Sequence, residues 1–282
     1  TFITGATGSN IVLDSSGNAF SDAVTMQADA GDEAFGNITF VDSAAVKLHS
    51  SAGTNGDLYI NAGTDGAVGG DLSITATTGN ITQGAAVTVT GASSFTTSAS
   101  NGTITLGETS NALTGAVSLS TSGSSGNATL VNASGLDLGA STVGGTLSAT
   151  ATTGDITDSG NLTITGAATF ITGATGSNIV LDSSGNAFAA AVTMQADAGD
   201  EAFGNITFID SAAVKLHSSA GTNGDLYINA STDLAVGGNL SITATTGNIT
   251  QGAAVAVTGT SSFTTSASNG TITLGETSNA LT

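Results

Sequence analysis

Cysteine, proline, tryptophan and arginine are missing from all 282 residues, and lysine occurs only at Lys47 and Lys215. Without cysteine there is no disulfide framework, no thiolate metal site and no cysteine nucleophile. Two basic residues against a net charge of -19 leave no surface on which phosphates could be neutralised. Nucleic acid and anionic membranes are therefore excluded as partners. No apolar run approaches the ~18 residues that read as a membrane-spanning helix, so no membrane insertion is expected. Charged residues make up only 8% of the chain and aromatic residues 4%. Disorder is excluded on the same figures: mean hydropathy is +0.27, and disordered segments combine low hydrophobicity with high charge.

What the chain has in abundance is glycine, 40 residues, with Thr, Ser, Ala, Asn and β-branched aliphatics. It also repeats itself. Residues 169–282 copy residues 1–114 at an offset of 168, with eight substitutions: Ser21/Ala189, Asp22/Ala190, Val41/Ile209, Gly63/Ser231, Gly66/Leu234, Asp71/Asn239, Thr88/Ala256 and Ala92/Thr260. Residues 1–168 thus form one full period and 169–282 part of a second. The reading is a window on a longer tandem array, with no secretory signal at Thr1. Inside the period, GGDLSITATTGNITQ at 69–83 returns as GGTLSATATTGDITD at 144–158 and as GGNLSITATTGNITQ at 237–251. The period therefore divides into unequal sub-units of about 93 and about 75 residues, the self-similarity that marks a repeat architecture. The longer one carries about 18 extra residues near GTNGDLYINAGTD, which is expected to be one inserted coil of a solenoid.

Hydrophobic periodicity is two throughout. Ile11-Val12-Leu13, Ile38-Thr39-Phe40, Leu72-Ser73-Ile74 and Ile104-Thr105-Leu106 place an apolar outer pair inward and the middle residue outward. The gaps, such as SSGN, TNGD and TTGN, are turn material. Asparagine precedes the strand at Asn37, Asn80 and Asn205, where stacked coils would bring equivalent side chains into hydrogen-bonded ladders. Short strands, few aromatic anchors and growth by a coil favour a parallel β-helix over a string of β-sandwiches. At ~20 residues per coil and ~4.8 Å per step the chain is expected to form roughly 14 coils in an elongated rod. Val, Ile and Leu fill its core, with Phe20, Phe35, Phe40 and Phe95 as larger members.

The segments GGDLSITATTGNITQGAAVTVTGASSF, NGTITLGETSNALTGAVSLS and ATLVNASGLDLGASTVGGTLSATATTGDITDSGNLTITGAATF resemble the tandem repeats of filamentous-haemagglutinin-like, β-strand-repeat giant bacterial surface adhesins. The resemblance covers essentially the whole chain. It implies a right-handed parallel β-helix, export, and an extracellular or surface-anchored fibre, and it transfers no catalytic residue.

Chemistry-bearing residues are few. His49 and His217 are equivalent copies in AVKLHSS, and a rod would hold them roughly 40 Å apart, so they read as surface residues. Asp29, Asp32 and Glu33, repeated as Asp197, Asp200 and Glu201, are weak Ca²⁺ candidates, since calcium wants six to eight oxygens. The calcium-stacking glycine-rich nonapeptide is absent. Asp155 and Asp158 form a smaller acidic pair, and a glycosidase pair would lack the basic partners such clefts carry. Outward Thr75/Thr77, Thr88/Thr90, Thr103/Thr105, Thr150/Thr152 and Thr163/Thr165 read as strand-forming threonines. Asn-x-Ser/Thr at Asn37, Asn80, Asn127, Asn132 and Asn161 follows from the turn-to-strand signature.

The sequence thus predicts a non-enzymatic structural fibre with no obligatory cofactor. Its expected partners are neighbouring repeats of the same chain or itself end to end, and cell-surface or matrix glycans. Two alternatives are separate subunits stacking into a filament and a carbohydrate- or ice-binding β-helix module, the latter with Tyr59 and Tyr227 as its outward aromatics.

Overall fold

A computed structural model describes residues 1–6, 8–28, 36–49, 57–60, 67–196, 204–217, 225–228 and 235–281. All regular structure among them is β, and the strands pair in parallel. The chain is a parallel β-solenoid that divides into two compact units. The first is Thr1–Asp137 with Thr142–Gly145, the second Leu138–Ser141 with Thr146–Thr282.

In the first unit one sheet stacks Phe2–Ile3, Val24–Gln27, Asp57–Ile60, Val46–His49, Ile81–Gln83, Ile104–Leu106 and Ala128–Asn132. The second stacks Ile11–Leu13, Ile38–Asp42, Leu72–Ala76, Ser93–Ser100 and Val117–Ser122. A short flanking sheet of Ala67–Val68, Thr88–Val89 and Ala112–Leu113 lies on the passage from the first sheet to the second. In the second unit the first-sheet order is Leu147–Ala151, Ala168–Thr172, Val192–Gln195, Asp225–Ile228, Val214–His217 and Ile249–Gln251. Its second sheet runs Ile156–Asp158, Ile179–Leu181, Ile206–Asp210, Leu240–Ala244 and Ser261–Thr265.

Two expectations change. Ile11, Ile38, Leu72, Ser93 and Val117 are successive register partners in the second sheet. Each step between them is longer than the ~20 residues taken for one coil of a solenoid. The chain accordingly makes about 10 turns rather than roughly 14. The extra residues of the longer sub-unit do not add a whole coil either. Asp57–Ile60 enters the first sheet between Val24–Gln27 and Val46–His49, while Ile38–Asp42 pairs directly with Leu72–Ala76 in the second. One sheet gains a strand and the other gains none.

Alternation explains the core. In Ile38–Asp42 and Leu72–Ala76 the burial pattern is strictly inward at every second residue. Register then stacks like on like: Leu13, Phe40, Ile74, Phe95 and Leu119 form one inward column. Phe40 and Phe95 are among the largest fully buried side chains, and Phe20 stacks on Phe40 at 5.3 Å. Phe35 lies outside the described residues.

The neighbouring column carries a flaw. Ser93 sits between Leu72 and Val117, and its buried Oγ has no hydrogen-bond partner. Ser261, its copy, is in the same position against Leu240. An unsatisfied buried hydroxyl costs about 1–3 kcal/mol. Ser93→Ala is therefore expected to raise the unfolding free energy by about 1 kcal/mol, read as a higher urea midpoint with unchanged slope. A lower midpoint would contradict the packing described.

Candidate functional site

The polar features of each unit are gathered at the corners where the chain enters and leaves the second sheet. At the entry corner glycines stack backbone on backbone. A side chain at Gly36 would overlap the Ser9 carbonyl, one at Gly91 would meet the Gly70 backbone, and one at Gly115 the Gly91 carbonyl. In the second unit Gly204 lies on the Ser177 carbonyl, Gly238 on Gly204 and Gly259 on Gly238. Only hydrogen fits between the coils, so this close approach selects glycine whatever the backbone angles.

The residue that follows Gly36, Gly70, Gly204 or Gly238 makes a clamp to the next coil, as do Asn10, Asp155 and Asn178 at the equivalent corner. Asn10 Oδ1 accepts the Asn37 N–H at 2.8 Å, Asn37 Oδ1 accepts the Asp71 N–H at 2.8 Å, and Asp71 Oδ1 accepts the Ala92 N–H at 2.8 Å. Main-chain bonds run the other way: Ile11 N–H donates to Asn37 O, Ile38 N–H to Asp71 O and Leu72 N–H to Ala92 O, each at 2.9 Å. The second unit repeats the column through Asp155, Asn178, Asn205, Asn239 and Thr260, at 2.7–2.8 Å per step. Asn80 and Asn248 do the same for Thr103 and Thr271. The expected asparagine ladder is therefore present, and aspartate serves in it as well, because only the acceptor oxygen is used.

The Asp155 and Asp158 pair does not form a joint site. Asp155 belongs to the exposed entry column, whereas Asp158 is 8% exposed at the exit corner. There its Oδ1 accepts the Asp182 N–H at 2.8 Å and its Oδ2 accepts Asn186 Nδ2–H at 2.7 Å. Asn186 in turn accepts the Leu162 N–H at 2.8 Å. Asp210, 5% exposed, caps the next coil and accepts the Phe188 and Ala212 N–H groups at 3.3 Å each. Burial pushes both carboxyls above the ordinary range, against hydrogen bonds that pull them down. Asp210 and its copy Asp42 are absent from the candidates named from sequence. The signal is the phase: Ile38, Phe40 and Asp42, like Ile206, Phe208 and Asp210, all hold inward positions. An in-phase polar residue ends the apolar column and turns its hydrogen-bonding capacity to the corner. Asn132 does the same after Ala128 and Leu130.

The inserted strand brings the scarce residue types together by register. Lys47 is opposite Asp57 and Thr82, and His49 opposite Tyr59. In the second copy Lys215 is opposite Asp225 and Thr250, and His217 opposite Tyr227. The His217 ring lies across Gly252, where any side chain would overlap it. The side chains of His49, Asp57, Tyr59, Asp225 and Tyr227 are outside the described part of the structure. So are the calcium candidates Asp29, Asp32, Glu33, Asp197, Asp200 and Glu201 in their entirety. Among the described residues no group of three His, Asp or Glu is placed to hold a metal. The outward threonines lie in mixed columns: Thr75 stands between Val41 and Thr96.

Two outcomes test these corners. Asn37→Ala leaves the Asp71 N–H without its acceptor and is expected to cost about 1 kcal/mol in chemical denaturation. Thr39→Ala on the outward face should cost under about 0.5 kcal/mol. For the raised carboxyls, the folded state takes up protons at a higher pH than the unfolded chain, whose value is 3.8. Between the raised value and 3.8 stability therefore increases as pH falls. Asp158→Asn should flatten this rise in a series of urea titrations across pH, and an unchanged pH slope would contradict the burial argument.

No curated protein and no solved structure matches the chain. Residues 35–120, 125–195 and 213–282 each match the family described as Repeats of unknown function (DUF5649), and since these segments cover most of the sequence, the chain belongs to that repeat family.

Proposed function

We propose that the chain is the structural repeat region of a very large secreted or surface-anchored fibrous protein, forming an extracellular filament or the stalk of an adhesin. The observation that carries this reading is the copying of an entire corner-and-core system at an offset of 168 residues. The same glycine column, polar clamp and exit-corner carboxylate recur in both units. Repetition of a self-stacking unit extends reach without requiring a new core, because each coil is stabilised by its immediate neighbours. A reaction centre gains nothing from being copied in this way, so the chain reads as non-enzymatic, with no obligatory cofactor.

The sparse acidic surface suits such a fibre. A net charge of -19 with two lysines makes one fibre repel another and keeps neighbouring fibres from collapsing laterally. The resemblance to filamentous-haemagglutinin-like repeats adds the expectation of export, a cell-surface location and contact with surface or matrix glycans.

The test is the mass of the native chain after complete denaturation. A covalent array predicts a species of hundreds of kDa that contains this sequence. A species near 26.8 kDa would overturn it and leave separate subunits stacked end to end.

A further inference from the structure

Two successive coils of the second unit leave the second sheet differently. After Ile179–Leu181 the chain passes Asn186 and forms the flanking strand Ala187–Phe188, which pairs with Leu162–Ile164. After Ile206–Asp210 only residues 211–213 precede Val214–His217. No flanking strand can form there, and Ala187–Phe188 has no strand partner on that side, although Phe188 is only 5% exposed. The missing strand leaves a notch of about 260 Å³. Thr163, Ile164, Ala187 and Phe188 line one side of it, and Asp210 and Ala212 the other.

The chemistry of this notch is lopsided. Its lining is mostly carbon, with hydroxyls contributed by Thr163, Thr165 and Ser211. Phe188 is held rigidly against Phe208 at 5.3 Å and edge-on to Phe170 at 6.1 Å. Its one charged group is the Asp210 carboxylate. Only backbone N–H groups steady that charge, and those of Phe188 and Ala212 are distant, at 3.3 Å. A carboxylate so enclosed gains most from a cation that brings its own donors and tolerates apolar walls. An anion is repelled. A hard divalent ion would find one carboxylate where it needs six or more oxygens. A sugar would leave most of its hydroxyls facing carbon.

We propose that this notch binds a primary alkylammonium group, with the ammonium on the Asp210 carboxylate and the methylene chain along Ala187 and the edge of Phe188. A free amine and a lysine side chain present the same head and the same stem. The corner itself recurs in the first unit: Asp42 accepts the Phe20 and Ala44 N–H groups at 3.4 and 3.3 Å, and the Phe20 ring stacks on Phe40 at 5.3 Å. The aspartate-and-phenylalanine corner is thus part of the period, whereas the wall of Thr163 and Ile164 belongs to the second unit alone.

The experiment follows backbone amide shifts of the 282-residue chain during titration with n-butylammonium chloride, at constant ionic strength set with sodium chloride. Saturable shifts are expected at the Phe188 and Ala212 amides, with n-butanol producing none at the same concentrations. Asp210→Asn should weaken the binding at least tenfold, and Ala212→Leu, which fills the notch from an exposed position, should abolish it while leaving the carboxylate in place. Nα-acetyl-lysine amide in a parallel titration separates the two sources. Binding as tight as that of the simple amine supports a lysine on a partner protein, and binding of the amine alone supports a small free amine. Equal affinity for n-butanol, an undiminished Asp210→Asn response that saturates at the same concentration, or no saturable shift with either amine would overturn the proposal.

Discussion

Backbone resting directly on backbone at the entry corner is the constraint on which the rest depends. Gly36, Gly70, Gly91 and Gly115 leave no room for a side chain between coils. That contact sets where each coil begins its second-sheet strand. It fixes the phase of every inward residue that follows, because a slip of one residue would turn the whole apolar set outward. The side-chain clamp one residue later, Asn37 to Asp71 to Ala92, pairs an oxygen with the N–H that the corner would otherwise leave open. Close approach and clamp act on the same few atoms, so register is specified twice at one place. A sequence with almost no aromatic anchors needs that, since Val, Ile and Leu columns are nearly interchangeable and would slide.

The exit corner solves a different problem. A column of aliphatic side chains has to end before the chain turns, and a buried corner leaves N–H groups to satisfy. Asp42, Asp158 and Asp210 do this from inward positions. Their burial without a lysine at hand follows from composition: a chain with two cations cannot pair its internal carboxylates and must hold them with backbone N–H groups and asparagine amides. The consequences reach from packing to solution behaviour. The burial that closes the core raises Asp158 and Asp210, and proton uptake then favours the folded chain.

Much of this was legible in the sequence. The period of two in Ile38-Thr39-Phe40 and its equivalents marked strand positions and faces, and Asn37, Asn80 and Asn205 announced the ladder. Three things were not. The coil length was hidden because corners of different lengths follow similar strands: the step from Ile38 to Leu72 is much longer than that from Leu72 to Ser93. The insertion looked like a coil because its length is close to one, whereas placement of Asp57–Ile60 between two strands of one sheet depends on pairings far apart in sequence. Asp155 and Asp158 looked like a pair because they are close in sequence, yet a coil corner sends them to different columns. Asp42 and Asp210 could have been found by extending the alternation one step past the last apolar residue.

The central claim is that each coil bonds to the next through specified partners at the entry corner. Scalar couplings across hydrogen bonds, measured on a deuterated, isotope-labelled chain, test it most directly. The account predicts couplings from the Ile38 amide nitrogen to the Asp71 carbonyl carbon and from the Leu72 nitrogen to the Ala92 carbonyl carbon, matching the 2.9 Å bonds at these positions. Couplings linking these strands to antiparallel partners nearby in sequence, as in a chain of β-sandwiches, would contradict it.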